Sequence, residues 1–308
     1  MGEADLGSVV QHKLVGIALH LVETGALTTS SKRLGSALRH IRSGQCAYQN
    51  AMLDEASAIC VEAARMGIRV AVRKGPVVAS WFPRTGDRQF SDIDLLLGDQ
   101  DKAAITKVLE ARGYVPGLYS FATTSLASHS RATQIRYALS PDHLPHFARL
   151  DAAAPCGGFN VDVAFTIGWH KDQLALPLQQ ILSRFEYCDA LGIPRLTNED
   201  CAVDTLLHAF RETFLAGTTA PKPPSLQLFV DCRFALAQLA QRGDRGWAHS
   251  NRLAMMVAWM DIVVGHVLDV SPFSIGDAAE LPCEPWNHSL REDQVVEAPD
   301  IHRRLGLL

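Results

Sequence analysis

Two aspartates separated by a single residue, in Arg88-Gln89-Phe90-Ser91-Asp92-Ile93-Asp94-Leu95-Leu96-Leu97, have the plainest chemical potential in this chain. In an extended strand, positions i and i+2 share a face. Asp92 and Asp94 then point one way while Ile93 and Leu95 point the other. Two carboxylates side by side repel each other, and burying them uncompensated is costly. A divalent cation relieves that cost, and hard oxygen donors suit Mg²⁺ held together with phosphates. The pair predicts a metal site that works on a nucleotide. Asp-x-Asp alone is equally the pattern of a solvated strand edge, but the flank of Ile93 and Leu95 to Leu97 puts these carboxylates where a core begins.

Two further segments could join the pair. Lys74-Gly75 lies seventeen to eighteen residues upstream of Asp92, at the junction of a strand and a short helix. A helix start offers free N–H groups, and glycine lets a ligand approach the backbone. Lys74 adds a point charge suited to phosphate; without the aspartates the dipeptide reads as an ordinary turn. Asp162 interrupts the apolar run Phe159-Asn160-Val161-Asp162-Val163-Ala164-Phe165. It either faces solvent from a half-buried sheet or stands as a third carboxylate beside the pair. Such a trio holds two Mg²⁺ ions and activates an attacking hydroxyl. Among the histidines, His143 and His146 are placed to line a cleft, and His170 with Lys171 follows the Asp162 strand within reach of a substrate. Each of these also fits an ordinary structural or solvated role. No Walker A sequence, H-E-x-x-H, G-x-S-x-G or G-x-G-x-x-G occurs.

The elements that must position these residues follow from periodicity and punctuation. Residues 8–66 read as helical and close on Met66-Gly67 as a C-cap. Ile68 to Val72 reads as a strand. Pro76 opens a short helix, where its missing N–H is harmless. Asp92 to Leu97 is the second strand, and a helix over about 100–112 turns Ile105, Val108 and Leu109 inward. Tyr114 to Phe121, Gln134 to Leu139, Phe147 to Asp151 and Phe159 to Phe165 read as strands separated by loops. Helical character returns near Asp172. Thr197-Asn198-Glu199-Asp200 resembles a capping box, ahead of a helical face of Val203, Leu206, Leu207, Phe210 and Phe214. Residues 218–225 read as a loop, 226–241 and 250–269 as helices, and the sequence from 271 as an extended tail. The expected fold is α+β: a mixed sheet over 67–167 carrying the acidic residues, an N-terminal helical region over 1–66, a C-terminal one over 168–270, and the tail over 271–308. The elements do not alternate as in a doubly wound fold.

Composition bounds the function classes. The chain has 308 residues, 47% hydrophobic and 20% charged, as ordinary globular proteins do. A net charge of -4 argues against a dedicated nucleic-acid binder. Seven scattered cysteines without a C-x-x-C pair suggest reduced thiols and a cytoplasmic setting. No signal peptide is visible. The apolar stretch Leu253 to Val270 is broken by Asp261, His266 and Asp269, which reads as a buried helix rather than a membrane span.

Taken together, Lys74-Gly75, Arg88-x-x-Ser91-Asp92-Ile93-Asp94-Leu95-Leu96 and the helix ending in Gly113-Tyr114 resemble the DNA polymerase β nucleotidyltransferase superfamily. More narrowly they resemble its branch of uncharacterised nucleotidyltransferases. His143-Leu144-Pro145-His146, Leu206-Leu207-His208-Ala209 and Asp231 agree with that branch, and the resemblance spans roughly residues 65–240. It implies that Asp92, Asp94 and Asp162 are catalytic residues and ligands of Mg²⁺ or Mn²⁺. Gly75 would approach the triphosphate of an NTP, with ATP as the expected donor and AMP as the group moved. Lys74 or Arg88 would neutralise the triphosphate, and Ser91 would fix the turn or contact phosphate. The implied reaction moves a nucleoside monophosphate onto an acceptor and releases pyrophosphate. The acidic balance favours a small molecule or a protein over nucleic acid as acceptor, with no membrane partner. Two departures stand out: Pro76 replaces the serine or glycine usual after the glycine, and Ala164 replaces the histidine of an Asp-x-His pattern. They keep open a non-catalytic nucleotide-sensing or partner-binding module. Asp-x-Asp alone would also suit a glycosyltransferase, which leaves Lys74-Gly75 and Asp162 without a role.

Overall fold

A computed structural model describes residues 1–139, 142–168, 176–214, 225–241 and 251–268. These divide into two compact units, one of Met1–Gly7 with Val15–Thr197 and one of Ser8–Leu14 with the described residues from Asn198 onward. The architecture is α+β, as the sequence predicts.

Helices α1 (Glu3–Gln11) and α2 (Val15–Glu23) open the chain, and α3 (Lys32–Arg65) follows. Ser31 caps α3, its Oγ accepting from the Leu34 N–H at 3.2 Å. The helix ends at Met66, and Gly67 takes the left-handed conformation (φ +75°) that glycine adopts without a Cβ clash. Met52, Ala56, Ile59 and Ala63 recur at helical spacing and are fully buried. They pack on the sheet face formed by Ile93, Leu95, Leu97, Val161 and Val163. Burying each of the larger side chains here contributes about 1.5–3 kcal/mol.

The sheet elements are β1 (Val70–Arg73), β2 (Ile93–Leu97), β3 (Val115–Pro116), β4 (Leu118–Ser120), β5 (Ser125–Ala127), β6 (Phe147–Leu150), β7 (Gly158–Ala164), β8 (Glu186–Cys188) and β9 (Ile193–Arg195). Among the described residues seven of them form one mixed sheet in the order β3-β6-β7-β2-β1-β9-β8, while β4 and β5 pair separately. β2 runs parallel to β7 and antiparallel to β1. The short helix α4 (Gly75–Ala79) joins β1 to the loop before β2. After one 3-10 turn comes α5 (Lys102–Ala111), which buries Ile105, Val108 and Leu109 as expected.

A buried ion network ties α3 to the sheet. Glu55, 7% exposed, accepts from Arg112 Nε and Nη2 at 3.1 and 2.8 Å, from Arg149 Nη2 at 2.9 Å and from the Tyr114 hydroxyl at 3.0 Å. One carboxylate thus joins α3, the end of α5 and β6.

Three expectations about local structure change. Gln134 to Leu139 is not a strand but part of helix α6 (Arg131–Leu139). Ile135, Tyr137 and Leu139 alternate in sequence, yet Ile135 and Leu139 are exposed, so no sheet face claims them. Ser130 settles the choice by capping the segment: its Oγ accepts from Thr133 N–H at 3.2 Å. The stretch Tyr114 to Phe121 is split at Gly117 into β3 and β4. The hairpin β8–β9, unforeseen in the sequence, extends the sheet beyond β1 through Val72 and Arg195. Helix α7 (Leu178–Ser183) precedes it, while residues near Asp172, the loop over 218–224 and the tail from 271 lie outside the described residues.

In the second unit α8 (Asn198–Phe214), α9 (Leu226–Gln241) and α10 (Asn251–Leu268) pack through Val203, Leu206, Leu207 and Phe210, through Phe229, Leu236 and Leu239, and through Met256, Met260 and Val264. Phe210 meets Trp259 edge-on at 5.5 Å. Among the described residues the cysteines are free thiols, and no helix is long and apolar enough to cross a membrane.

Candidate active site

Strand register decides which acidic residues meet. Asp94 in β2 and Asp162 in β7 are direct partners across the parallel pairing. Asp92 lies just ahead of β2, near enough to feel the charges of Asp94 and Asp162, while Ile93, Leu95 and Leu97 enter the core. Asp94 and Asp162 are 4% and 8% exposed, and Asp92 is half-buried. Carboxylates from two strands separated by more than sixty residues of sequence therefore share one patch of the sheet.

The same row extends in both directions. Arg73, at the end of β1, pairs with Asp94. It is 5% exposed, and its Nη1 donates to the Thr166 carbonyl at 3.2 Å. Antiparallel partners point to one side, so this guanidinium belongs to the carboxylate face. On the far side, β6 pairs with β7 through Phe147 and Val161, and His146, just ahead of β6, lies near enough for its charge to act on Asp92. His143 forms a bridge with Ala164, the position where the resembled pattern has a histidine. His146 packs edge-on with His129 and Tyr137 at ring separations of 6.5 and 5.8 Å.

Cationic charge reaches the trio through Lys74, whose Nζ stands 2.8 Å from Asp94 Oδ1. Lys74 has φ +48° and ψ -115°, a conformation that costs a residue with a Cβ about 1–3 kcal/mol. Its ion pair and its place at the N-terminus of α4 hold it there. Gly75 is buried, and a Cβ at that position would meet Phe90 at 3.0 Å. Tight packing against Phe90 is thus a reason for glycine here that needs no ligand. Arg88 is half-buried and donates from Nη1 to the Gly75 carbonyl at 3.0 Å, bracing the turn. Ser91 is half-buried immediately before Asp92. His170 and Lys171 lie outside the described residues.

The electrostatics are those of a site short of positive charge. Burial, and next the negative charge of Asp94, push the Asp92 carboxyl up from 3.8 to about 6. Lys74 and His146 oppose that rise and Asp162 adds to it. Asp162 Oδ1 is buried and makes no hydrogen bond, an arrangement that ordinarily costs about 1–3 kcal/mol. Among the described residues no three His, Cys, Asp or Glu side chains stand as a ready-made metal cage. Lys74 instead occupies Asp94.

Of the residues singled out in the sequence, the structure brings Lys74, Asp92, Asp94, Asp162 and His146 together and gives Gly75 and Arg88 supporting contacts. Arg73 was missed. A charged residue closing a strand of Val70-Ala71-Val72 was the available signal, but only register shows that it faces Asp94.

A family model described as "Uncharacterised nucleotidyltransferase" matches residues 6–257. None of the curated proteins compared with the chain matches it. The chain belongs to this nucleotidyltransferase family.

Proposed function

We propose that this member of the family transfers a nucleoside monophosphate, AMP from ATP, to a small-molecule or protein acceptor and releases pyrophosphate. The observation that carries the reading is the pairing of Asp94 with Asp162 on neighbouring parallel strands, with Asp92 close to both.

The donor set fits Mg²⁺ or Mn²⁺. All three groups offer hard oxygens, Asp162 Oδ1 is buried without a partner, and the crowding that raises Asp92 is the kind a cation relieves. Asp92, Asp94 and Asp162 would hold the ion. Once bound, it would act as a Lewis acid on the phosphoryl oxygens, where charge develops during transfer. Lys74 releases Asp94 in this reading and moves its ammonium to the triphosphate, a shift its flexible stem permits. Arg73 stays fixed behind Asp94 and keeps positive potential on that side of the row. Asp162 orients the acceptor and draws off its proton. The bond formed joins the acceptor oxygen or nitrogen to the α-phosphorus, and the bond broken leaves pyrophosphate.

The test is pyrophosphate release from Mg·ATP across an acceptor panel. Asp94→Asn and Asp162→Asn should each reduce transfer to background while keeping the wild-type circular dichroism spectrum. Turnover by either variant at the wild-type rate would overturn the reading. One observation favours a second reading, a nucleotide-sensing module without catalysis: the Lys74 ammonium already neutralises Asp94. Mg·ATP binding with no turnover across the panel would select it.

A further inference from the structure

We propose that the rings of His129, Tyr137 and His146 form the acceptor wall of the site, and that the acceptor is a small molecule presenting a ring face, aromatic or cyclic polyol, beside the hydroxyl it offers; this rests on the nucleotidyl-transfer reading.

The direction of the reaction assigns the wall to the acceptor. An in-line displacement sets the attacking and leaving oxygens on opposite sides of the α-phosphorus. Lys74, the cation assigned to the triphosphate, directly follows β1. In the sheet β1 flanks β2 on one side, while β7 and then β6 lie on the other. With pyrophosphate leaving on the β1 side, the acceptor enters from the β6 side. Its hydroxyl oxygen bonds to the α-phosphorus, the bond from that phosphorus to the bridging oxygen breaks, and the hydroxyl proton passes to Asp162.

The chain bordering β7 on that side runs from Asp142 into β6 and is bonded to β7 on both sides of Asp162. Phe165 N–H donates to the Asp142 carbonyl at 2.8 Å, Leu144 N–H donates to the Val163 carbonyl at 3.0 Å, and Phe147 pairs with Val161. Leu144 and Phe147 pack into the core beneath α3. His146, between them in sequence, stays half-buried, and its charge acts on Asp92.

Two more rings gather on His146. His129 donates from Nε2 to the His146 carbonyl at 3.0 Å. Ring centroids lie 6.5 Å apart for His129 and His146, 5.6 Å for His129 and Tyr137, and 5.8 Å for Tyr137 and His146. All three residues are half-buried, so the cluster keeps surface that a ligand can meet. Helix α6, which carries Tyr137, buries none of its residues, so core packing does not account for the cluster. Aromatic rings gain most from partners that are themselves flat and apolar on one face. An open-chain alcohol offers such a wall little area.

The experiment measures pyrophosphate release from Mg·ATP by the full chain with three kinds of added alcohol. Phenethyl alcohol and tyramine are the aromatic probes, glucose and myo-inositol the cyclic polyols, glycerol and serine the open chains. At least one ring arm should accelerate release while the open-chain arm does not, and the arm that does so names the ring. The concentration giving half-maximal acceleration should rise about 2- to 10-fold in Tyr137→Ala, the worth of one aromatic contact, and stay at the wild-type value in Tyr137→Phe. Calorimetry with Mg²⁺ and an ATP analogue whose α,β-bridging oxygen is methylene should give equal affinities for all three proteins. Open-chain alcohols as effective as the rings, or no acceleration by either ring arm, would overturn the inference. So would a Tyr137→Ala variant with unchanged response or weakened analogue binding, or a Tyr137→Phe variant as impaired as the alanine one. If wild type itself fails to bind the analogue, the nucleotidyl-transfer reading falls and this inference with it. If wild type binds, those outcomes remove this inference alone.

Discussion

Asp92→Asn should make the metal-free protein more stable at neutral pH and no more stable in acid. Burial and the Asp94 charge, with a smaller push from Asp162, raise the Asp92 carboxyl from 3.8 to about 6, against the opposing pull of Lys74 and His146. A rise of about two pH units corresponds to about 3 kcal/mol at about 1.4 kcal/mol per unit. Asp92 keeps part of its surface in water, and screening there brings the expected gain from the substitution to about 1–2 kcal/mol. The sign follows from proton counting. Between pH 3.8 and about 6 the folded protein holds the proton that the unfolded chain has lost, so stability falls as pH rises through that window. Above it the cost of the ionised group is complete, and below it the cost vanishes. The assay is denaturant unfolding of both proteins with EDTA at pH 3.5 and 7.5, reading the difference between them so that the other carboxylates cancel. A variant no more stable than wild type at pH 7.5, or equally favoured at both pH values, would refute the account of Asp92 as a carboxylate short of a cation. Adding Mg²⁺ in place of EDTA should raise the wild-type midpoint and leave the variant less affected, since binding to the folded state adds stability through mass action.

Two further predictions concern the frame around the site. Glu55→Ala leaves Arg112 and Arg149 without their shared buried carboxylate and should cost about 3–5 kcal/mol in urea unfolding; a loss below about 1 kcal/mol would show that the network is dispensable. Gly75→Ala brings a Cβ to 3.0 Å from the Phe90 Cβ and should destabilise by about 1–3 kcal/mol in urea unfolding. A variant of unchanged stability but weakened nucleotide binding would instead assign the glycine to the ligand.

What the sequence revealed of this site was the part governed by local periodicity. Alternation alone separates Asp92 and Asp94 from Ile93 and Leu95, and the strand over Phe159 to Phe165 was readable for the same reason. That Asp162 pairs with Asp94 was a wager on register, which depends on every residue between β2 and β7 and is written in no single segment. The same limit explains Arg73. It is unremarked in its own element and gains meaning from Asp94, the neighbour that strand pairing supplies. Where local signals conflicted, they failed in an instructive way: Ile135, Tyr137 and Leu139 imitate a strand, but with no sheet face to receive them, the Ser130 cap decided for a helix. Lys74 shows how the two levels combine. Its charge was legible beside Gly75, but its left-handed backbone and its ion pair with Asp94 come from the turn between β1 and α4. A residue held in an unfavourable conformation against a carboxylate that a cation would also bind is poised between two partners. The competition between the Lys74 ammonium and a divalent ion for Asp94 is therefore the step on which nucleotide binding at this site should turn.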